Sequence, residues 1–343
     1  MIFKKLTFKS FVASKIHTCM LYSYYQNHKL IGKMRKYIHE LSDWADFRWD
    51  EAKVQEPLAR VSRLQGKLLG RMGNLGFDIQ NQATVAVLSE DVVETSAIEG
   101  ERLDRASVRS SVGKRFGVDT GLPETKDHSG DGVVQLLFDA TQKSHEPLTA
   151  ERLWHWHRLL FPTGLIGYDT RFIVGGWRRG AMSVLSGAIG KENVHFQAPD
   201  AERLPTEMTQ FLHWFNSEPI SARERLDPIL RSAIAHLWFV TLHPFDDGNG
   251  RIARAIADLQ LTRGDQTNHR FYSMSRQIKA EQQAYYDILE STQGGTLDIT
   301  GWLLWYIGCL ERANNDAIKL NQAYGTAYRG LLDANLDDVD DLV

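Results

Sequence analysis

The chain has little cysteine: Cys19 and Cys309 are the only two in 343 residues. They lie far apart, with no second ligand at metal spacing, which excludes a disulfide scaffold and a cysteine zinc site and suggests a reducing compartment. No apolar run reaches the roughly 20 residues that a membrane-spanning helix needs. The net charge of −3 leaves no broad excess of either sign, so no membrane and no nucleic-acid partner is expected. Internal repeats and low-complexity tracts are absent. Residues 1–33 contain no Asp or Glu but carry Lys4, Lys5, Lys9, Lys15, Lys29 and Lys33. Their apolar pieces are broken by Lys15 and His17, too often for a signal-peptide core. Met34 opens ordinary protein text, so 1–33 is read as a disordered basic extension translated from an upstream start. A basic arm contacting RNA or lipid is the sharper alternative. The expected location is cytoplasmic.

What is present is helical. Nine tryptophans and many Leu, Ile and Ala runs at helical spacing predict an all-α protein with a sizeable core. The length suits one large or two modest domains. After an aromatic segment with Trp44, Phe47 and Trp49, a helix is predicted from about Asp50 to Met72, with Val54, Leu58, Val61, Leu64 and Leu68 on one stripe. Thr84 to Ile98 reads as a second helix, stopped at Gly100. Residues 113–131 read as a loop. Helices follow over Val133–Ser144 and after an N-cap at Thr149, with Leu153, Trp156 and Leu160 inward. His155 and His157 are read as packing groups. From Gly175-Gly176-Trp177-Arg178-Arg179 to about Pro199 the character changes to two short strands joined by Gly187–Glu192. Leu204–Asn216 and Pro228–Leu242 are core helices, the second started by Asp227-Pro228. Gln283–Asp287 lies on a helix, a last helix contains Trp302–Leu310, and the acidic end is expected to fray.

The most informative stretch is 243–254, His-Pro-Phe-Asp-Asp-Gly-Asn-Gly-Arg-Ile-Ala-Arg. It joins the apolar run Ser232–Leu242 to a second run, Ile252–Leu261. Glycines let backbone N–H groups approach a ligand closely, and a helix starting just after them adds its free N–H groups and positive dipole end. Arg251 and Arg254 are three apart and share a helical face, which suits a polyphosphate. Asp247 offers the hard oxygen wanted by a magnesium–phosphate complex. His243 is the nearby group suited to general-base work near neutral pH. Taken singly, each has a bland reading: a capping histidine, a Gly-Asn-Gly turn.

Taken together, the twelve positions fit the Fic signature, H-P-F-x-[D/E]-G-N-G-R-x-x-R, without substitution, and the chain resembles the Fic family over roughly Tyr37–Glu311. The resemblance implies an all-α Fic core with a β-hairpin flap, preceded by a helical N-terminal domain: 34–112 helical, with an inhibitory helix at about 84–100, 132–312 Fic, and 313–343 a C-terminal helix and acidic tail. Thr95-Ser96-Ala97-Ile98-Glu99-Gly100 fits the inhibitory motif [S/T]-x-x-x-E-[G/N], in which Glu99 would pair with Arg254. An arginine held by a carboxylate cannot also clamp a γ-phosphate.

The implied reaction is transfer of AMP from ATP to a Ser, Thr or Tyr hydroxyl of a target protein, with self-modification. His243 would be the base, and Asp247 would hold Mg²⁺. Gly248, Asn249 and Gly250 would bind phosphate through the backbone, while Arg251 and Arg254 held the leaving pyrophosphate. Val184 of the flap, Tyr285 and Tyr286 would contact the nucleotide. Gln293 stands where some relatives carry a nucleotide-contacting asparagine. The flap, about 182–197, would receive the unidentified target as an added strand. Homodimerisation is common in the family, though no stretch marks a dimer surface. Rival readings are removal of AMP at the same site, with Glu99 orienting water, and nucleotide sensing without turnover. Phosphate or phosphocholine transfer fits the complete G-N-G-R-x-x-R less well. Many relatives continue into a winged-helix domain, which this text does not contain.

Overall fold

The structure, a computed structural model, describes residues 37–122, 127–166, 172–186, 193–217 and 226–340, with backbone alone over 321–340. The basic segment 1–33 and the hairpin connection at 187–192 lie outside the described residues. Eleven α-helices and one two-stranded sheet are present among those described.

The centre is a helical hairpin. α7 (Pro228–Leu242) and α8 (Asn249–Asp265) pack against each other, and from Ser232 to Leu242 every residue of α7 is buried. A helix apolar on all sides can only sit in the middle of a bundle. Asp227 caps α7 by accepting from the Ile229 N–H at 2.8 Å, with Pro228 at the first helical position. Around this pair lie α4 (Asp131–Gln142), α5 (Ala150–Leu160) and α6 (Leu204–Asn216).

The N-terminal helices wrap the same core. α1 (Glu51–Gly73) runs along α11 (Thr300–Asp340), burying Val54, Val61, Gln65, Leu68 and Met72. The expected stripe is confirmed at Val54, Val61 and Leu68, whereas Leu58 and Leu64 are half-buried. Backbone bonds between Arg48 and residues 297 and 299 tie the leading segment to the start of α11. Trp44 and Phe47 pack edge-on against Trp238 of α7. One apolar core runs unbroken from Val54 to Ala317.

α2 (Phe77–Ile98) starts seven residues earlier than the spacing predicts, and α3 (Arg105–Phe116), capped by Asp104, occupies the start of the expected 113–131 loop. Neither is marked by apolar periodicity, because Asn81, Ser107 and Ser111 interrupt the pattern, while tertiary packing supplies the burial. α2 packs on α3, α4, α8 and α9 (Met274–Ala280), and α10 (Gln282–Gln293) follows α9 directly. α11 is helical to Asp340, so the acidic stretch expected to fray lies within the helix. β1 (Ser183–Ser186) and β2 (Asn193–Gln197) pair antiparallel, with Val184 opposite Phe196 and an irregularity after Val184. Among the described residues no helix is long and apolar enough to cross a membrane.

Candidate active site

α7 ends at His243 because the next residue is Pro244, which disfavours helical backbone in the residue before it. His243 instead takes the left-handed conformation, φ 48° and ψ 57°, with its N–H donating to Phe239 O at 3.0 Å. A non-glycine residue held there signals a backbone over-determined by its surroundings. The His243 ring has one defined role assignment: Nδ1 lies 3.1 Å from Val240 O, so it carries the proton, and Nε2 keeps its lone pair. Burial, reinforced by the charge of Arg178, lowers its pKa to about 4 against the pull of the Val240 bond, so the imidazole is neutral at pH 7.

The loop to α8 is closed by its own side chains. Asn249 accepts from the Phe245 N–H at 3.0 Å and donates back to Phe245 O at 2.8 Å, spanning the turn in both directions. Gly248 has φ 80°, and a Cβ there would lie 2.9 Å from Leu160, so glycine is required twice over. The first N–H groups of α8, at Asn249, Gly250 and Arg251, have no intrahelical acceptors, as at any helix start. Asp247 is half-buried, and desolvation raises its pKa, although Arg251 opposes the rise. Its Oδ1 accepts from the Gly248 N–H at 2.6 Å.

Both motif arginines are engaged by the end of α2. Arg254, 3 % exposed, donates from Nε to Thr95 Oγ1 at 2.7 Å and from Nη2 to Thr95 O at 3.0 Å and Glu99 Oε1 at 2.7 Å. Burial works against its charge, but Glu99 outweighs that and raises its pKa. The Glu99 carboxylate lies directly over Gly250, where any side chain would strike it. Arg251 donates from Nη1 to Glu101 Oε2 at 2.8 Å and lies over the Phe161 ring, while its Nε is buried with no hydrogen-bond partner among the described residues. The last carbonyls of α2 are taken by the neighbouring helices: Lys279 donates to Ala97 O at 2.9 Å and Gln282 to Ile98 O at 2.8 Å, with Tyr286 hydroxyl 3.3 Å from Ile98 O.

The aromatic pair on α10 divides. Tyr285 is 2 % exposed and its hydroxyl is bonded to His236 at 2.8 Å, so its ring belongs to the core. Tyr286 is only half-buried. Gln293 is buried and donates to Thr241 Oγ1 at 3.2 Å, inside the bundle. Val184 is half-buried in β1. The hairpin is strapped to α10 through His195, which bridges Ser186 Oγ at 2.5 Å and Glu290 Oε2 at 2.7 Å.

Four contributors escaped sequence reasoning. His155 is exposed rather than packed, but His157 is fully buried and accepts at Nδ1 from the Gly175 N–H (2.9 Å) while donating from Nε2 to Asp247 O (3.1 Å). Its ring stacks on Phe245 at 4.2 Å, and burial lowers its pKa to about 4. Thr95 entered only as a motif letter, Glu101 lies beyond the helix end, and Arg178 stood in a glycine-rich approach to the hairpin. No local pattern marks them, since each acts on a partner far along the chain.

The fit to a polyphosphate is carried by the orphaned Arg251 Nε beside the open N terminus of α8. For a divalent cation the donor set is thin. No group of three His, Cys, Asp or Glu side chains exists among the described residues, so Asp247 would be one protein ligand among phosphate and water oxygens. Fold and loop together define a helical bundle whose glycine-containing loop lies at a buried helix N terminus, an arrangement chemically suited to an anion.

Residues 147–261 match the Fic/DOC family, and residues 37–118 match a domain of unknown function, DUF4172. The chain is similar to the protein adenylyltransferase Fic of Drosophila virilis, 26 % identical over 224 residues, covering 65 % of this chain and 41 % of that protein. It thus spans about two fifths of the length of that curated relative. Among solved structures it resembles a Fic family protein from Desulfovibrio desulfuricans (TM-score 0.55, 22 % identity, 77 % of this chain and 75 % of that one). It also resembles Fic-1 of C. elegans (TM-score 0.54, 20 % identity, 80 % and 74 %). The Fic/DOC match takes in about a third of the chain, the part that holds the loop 243–254.

Proposed function

We propose that the protein is an adenylyltransferase that moves AMP from ATP onto a protein hydroxyl and is held inactive by Glu99. The observation carrying this reading is the pairing of a neutral His243, its Nε2 free to accept a proton, with a phosphate cradle whose Arg254 is claimed by Glu99. In the reaction, His243 Nε2 takes the proton of a Ser, Thr or Tyr hydroxyl as its oxygen bonds to the α-phosphorus. The bond from that phosphorus to the bridging oxygen breaks, and pyrophosphate leaves. Backbone N–H groups of Asn249 and Gly250 hold phosphate oxygens, joined by that of Gly248 once it leaves Asp247 Oδ1, and Arg251 and Arg254 neutralise the leaving group. Mg²⁺, held by Asp247 and the phosphates, would supply charge neutralisation. Tyr286, the more exposed tyrosine of its pair, would contact adenosine, and Val184 would border the nucleotide from the flap.

A target strand would extend β1, because the far side of β2 is covered by Tyr37, His39 and α10. The inhibition follows from one acceptor competing with another. With Arg254 on Glu99, the γ-phosphate has no clamp, and ATP binds in a pose unsuited to attack. The position of Glu99 over Gly250 also favours a second reading, in which its carboxylate orients water to remove AMP from a modified protein.

The test uses α-³²P-ATP and γ-³²P-ATP with the parent, Glu99→Gly and Glu99→Gly/His243→Ala. Label from the α-phosphate alone, strong in the single variant and about 10²–10⁴-fold weaker in the double, is expected. Label from neither source in Glu99→Gly removes the transfer reading. Loss of label from modified Glu99→Gly protein when mixed with unlabelled parent would establish AMP removal.

A further inference from the structure

We propose that Arg178 is a positioning residue for the transfer, holding the backbone of His243 and both ends of the β1–β2 hairpin in one rigid frame. This inference rests on the reading of His243 as the base and the hairpin as the target-binding flap.

The guanidinium is 2 % exposed and sits among carbonyl oxygens from two parts of the chain. Its Nε donates to His243 O at 2.8 Å, and Nη2 reaches Leu242 O at 3.5 Å, so one edge of the fork grips the left-handed end of α7. Its Nη1 donates to Gly180 O at 2.6 Å, three residues before β1, and Nη2 donates to Pro199 O at 2.6 Å, two residues after β2. The backbone repeats the connection: the Arg178 N–H donates to Pro244 O at 2.9 Å, and the Ala198 N–H to Met182 O at 3.0 Å closes the hairpin base.

The three strong bonds point in fixed directions from one plane, which a guanidinium supplies and an ammonium does not. The cost of the left-handed His243 is met by its surroundings, and the grip on its carbonyl is part of that constraint. Transfer needs the acceptor oxygen, Nε2 and the α-phosphorus in register, and a misplacement of about 1 Å is worth about 10²-fold in rate. A single side chain that fixes the base and the strand site together sets that register without touching the nucleotide. Its charge also acts on the imidazole, holding the His243 pKa down, after burial, toward about 4.

The experiment compares Arg178→Lys and Arg178→Met in the Glu99→Gly protein. Two readouts are used: the His243 titration, followed by NMR of ¹³C-labelled histidines, and α-³²P-ATP self-labelling. Arg178→Met should move the His243 midpoint upward, because a neighbouring positive charge is gone, and Arg178→Lys should leave it close to the parent value. Both should label about tenfold or more slowly, with KM for ATP within about twofold of the parent. A lysine variant that labels as fast as its parent, or a methionine variant with an unmoved midpoint, overturns the proposal. If Arg178→Met does not fold, the rate of Arg178→Lys decides alone. Absence of label in Glu99→Gly itself would defeat the transfer reading instead, and the titration would still decide whether Arg178 acts on His243.

Discussion

Thr95 and Arg254 make two contacts one helical turn before Glu99: the guanidinium donates to the Thr95 hydroxyl at 2.7 Å and to its carbonyl at 3.0 Å. The arginine is therefore bound to α2 by three acceptors, of which Glu99 is one. Thr95→Ala removes only the hydroxyl and should release Arg254 in part. Self-labelling with α-³²P-ATP is expected to rise by about tenfold or more above the parent yet stay below Glu99→Gly, since a hydrogen bond to a charged group contributes about 1.5–3 kcal/mol. Labelling equal to the parent would show that the hydroxyl has no share in restraining Arg254.

Glu101 should matter less than Glu99. Its side chain is 48 % exposed, so its pair with Arg251 is partly screened by solvent, and Arg251 keeps its contact with Phe161. Glu101→Ala is expected to tighten ATP binding by only about threefold, read by calorimetry, because Arg251 then meets phosphate without a competitor. Weaker binding would show that Glu101 orders Arg251 for the ligand rather than competing with it.

Asp247→Ala removes the carboxylate proposed to hold the cation. Calorimetric ATP titrations with and without Mg²⁺ should differ in the Glu99→Gly protein and become alike in Glu99→Gly/Asp247→Ala. Persistent Mg²⁺ dependence in the double variant would move the cation's protein ligand elsewhere.

The pH dependence has a defined sign. A base must be deprotonated, so kcat/KM for Glu99→Gly should be flat near neutrality and fall only in the acid range where His243 protonates, about 4 in the parent and lower in the variant, which lacks the Glu99 charge that raises it. The limb for kcat should lie at higher pH, because bound triphosphate adds negative charge beside the ring and favours the imidazolium. Coincident limbs at pH 6.5 would indicate a solvent-exposed base.

Stability offers an independent check at the buried pair Arg270–Asp258, which meet at 2.6 Å with side chains 0 % and 3 % exposed. Asp258→Ala leaves a buried guanidinium short of charge compensation and should lower the unfolding free energy by about 3 kcal/mol, measured by urea denaturation. Asp265 remains 3.9 Å from Arg270, which places the effect at the lower end of the range for broken buried pairs.

Much of this protein was legible because its central signals are local. The apolar runs on either side of His243 predict two buried helices by periodicity alone, and the intervening glycines and proline predict a loop that faces a ligand. Those residues act on one another within twelve positions, so spacing carries their geometry. α6, with bounds Leu204–Asn216, is readable for the same reason, as are the two strands of the hairpin, β1 and β2, which stand where the pattern puts them.

The tertiary structure decided what depends on chain segments meeting. Spacing could not tell that Tyr285 turns inward to His236 while its neighbour Tyr286 stays half-exposed, because adjacent helical residues differ only in which helices face them. Nor could it show Glu101 on Arg251, His157 beneath Asp247, or Arg178 between the end of α7 and the hairpin. Hydrophobic periodicity records how each segment buries itself. A hydrogen bond between residues 65 or 150 positions apart leaves no periodic trace, and only the packed bundle brings its donor and acceptor together.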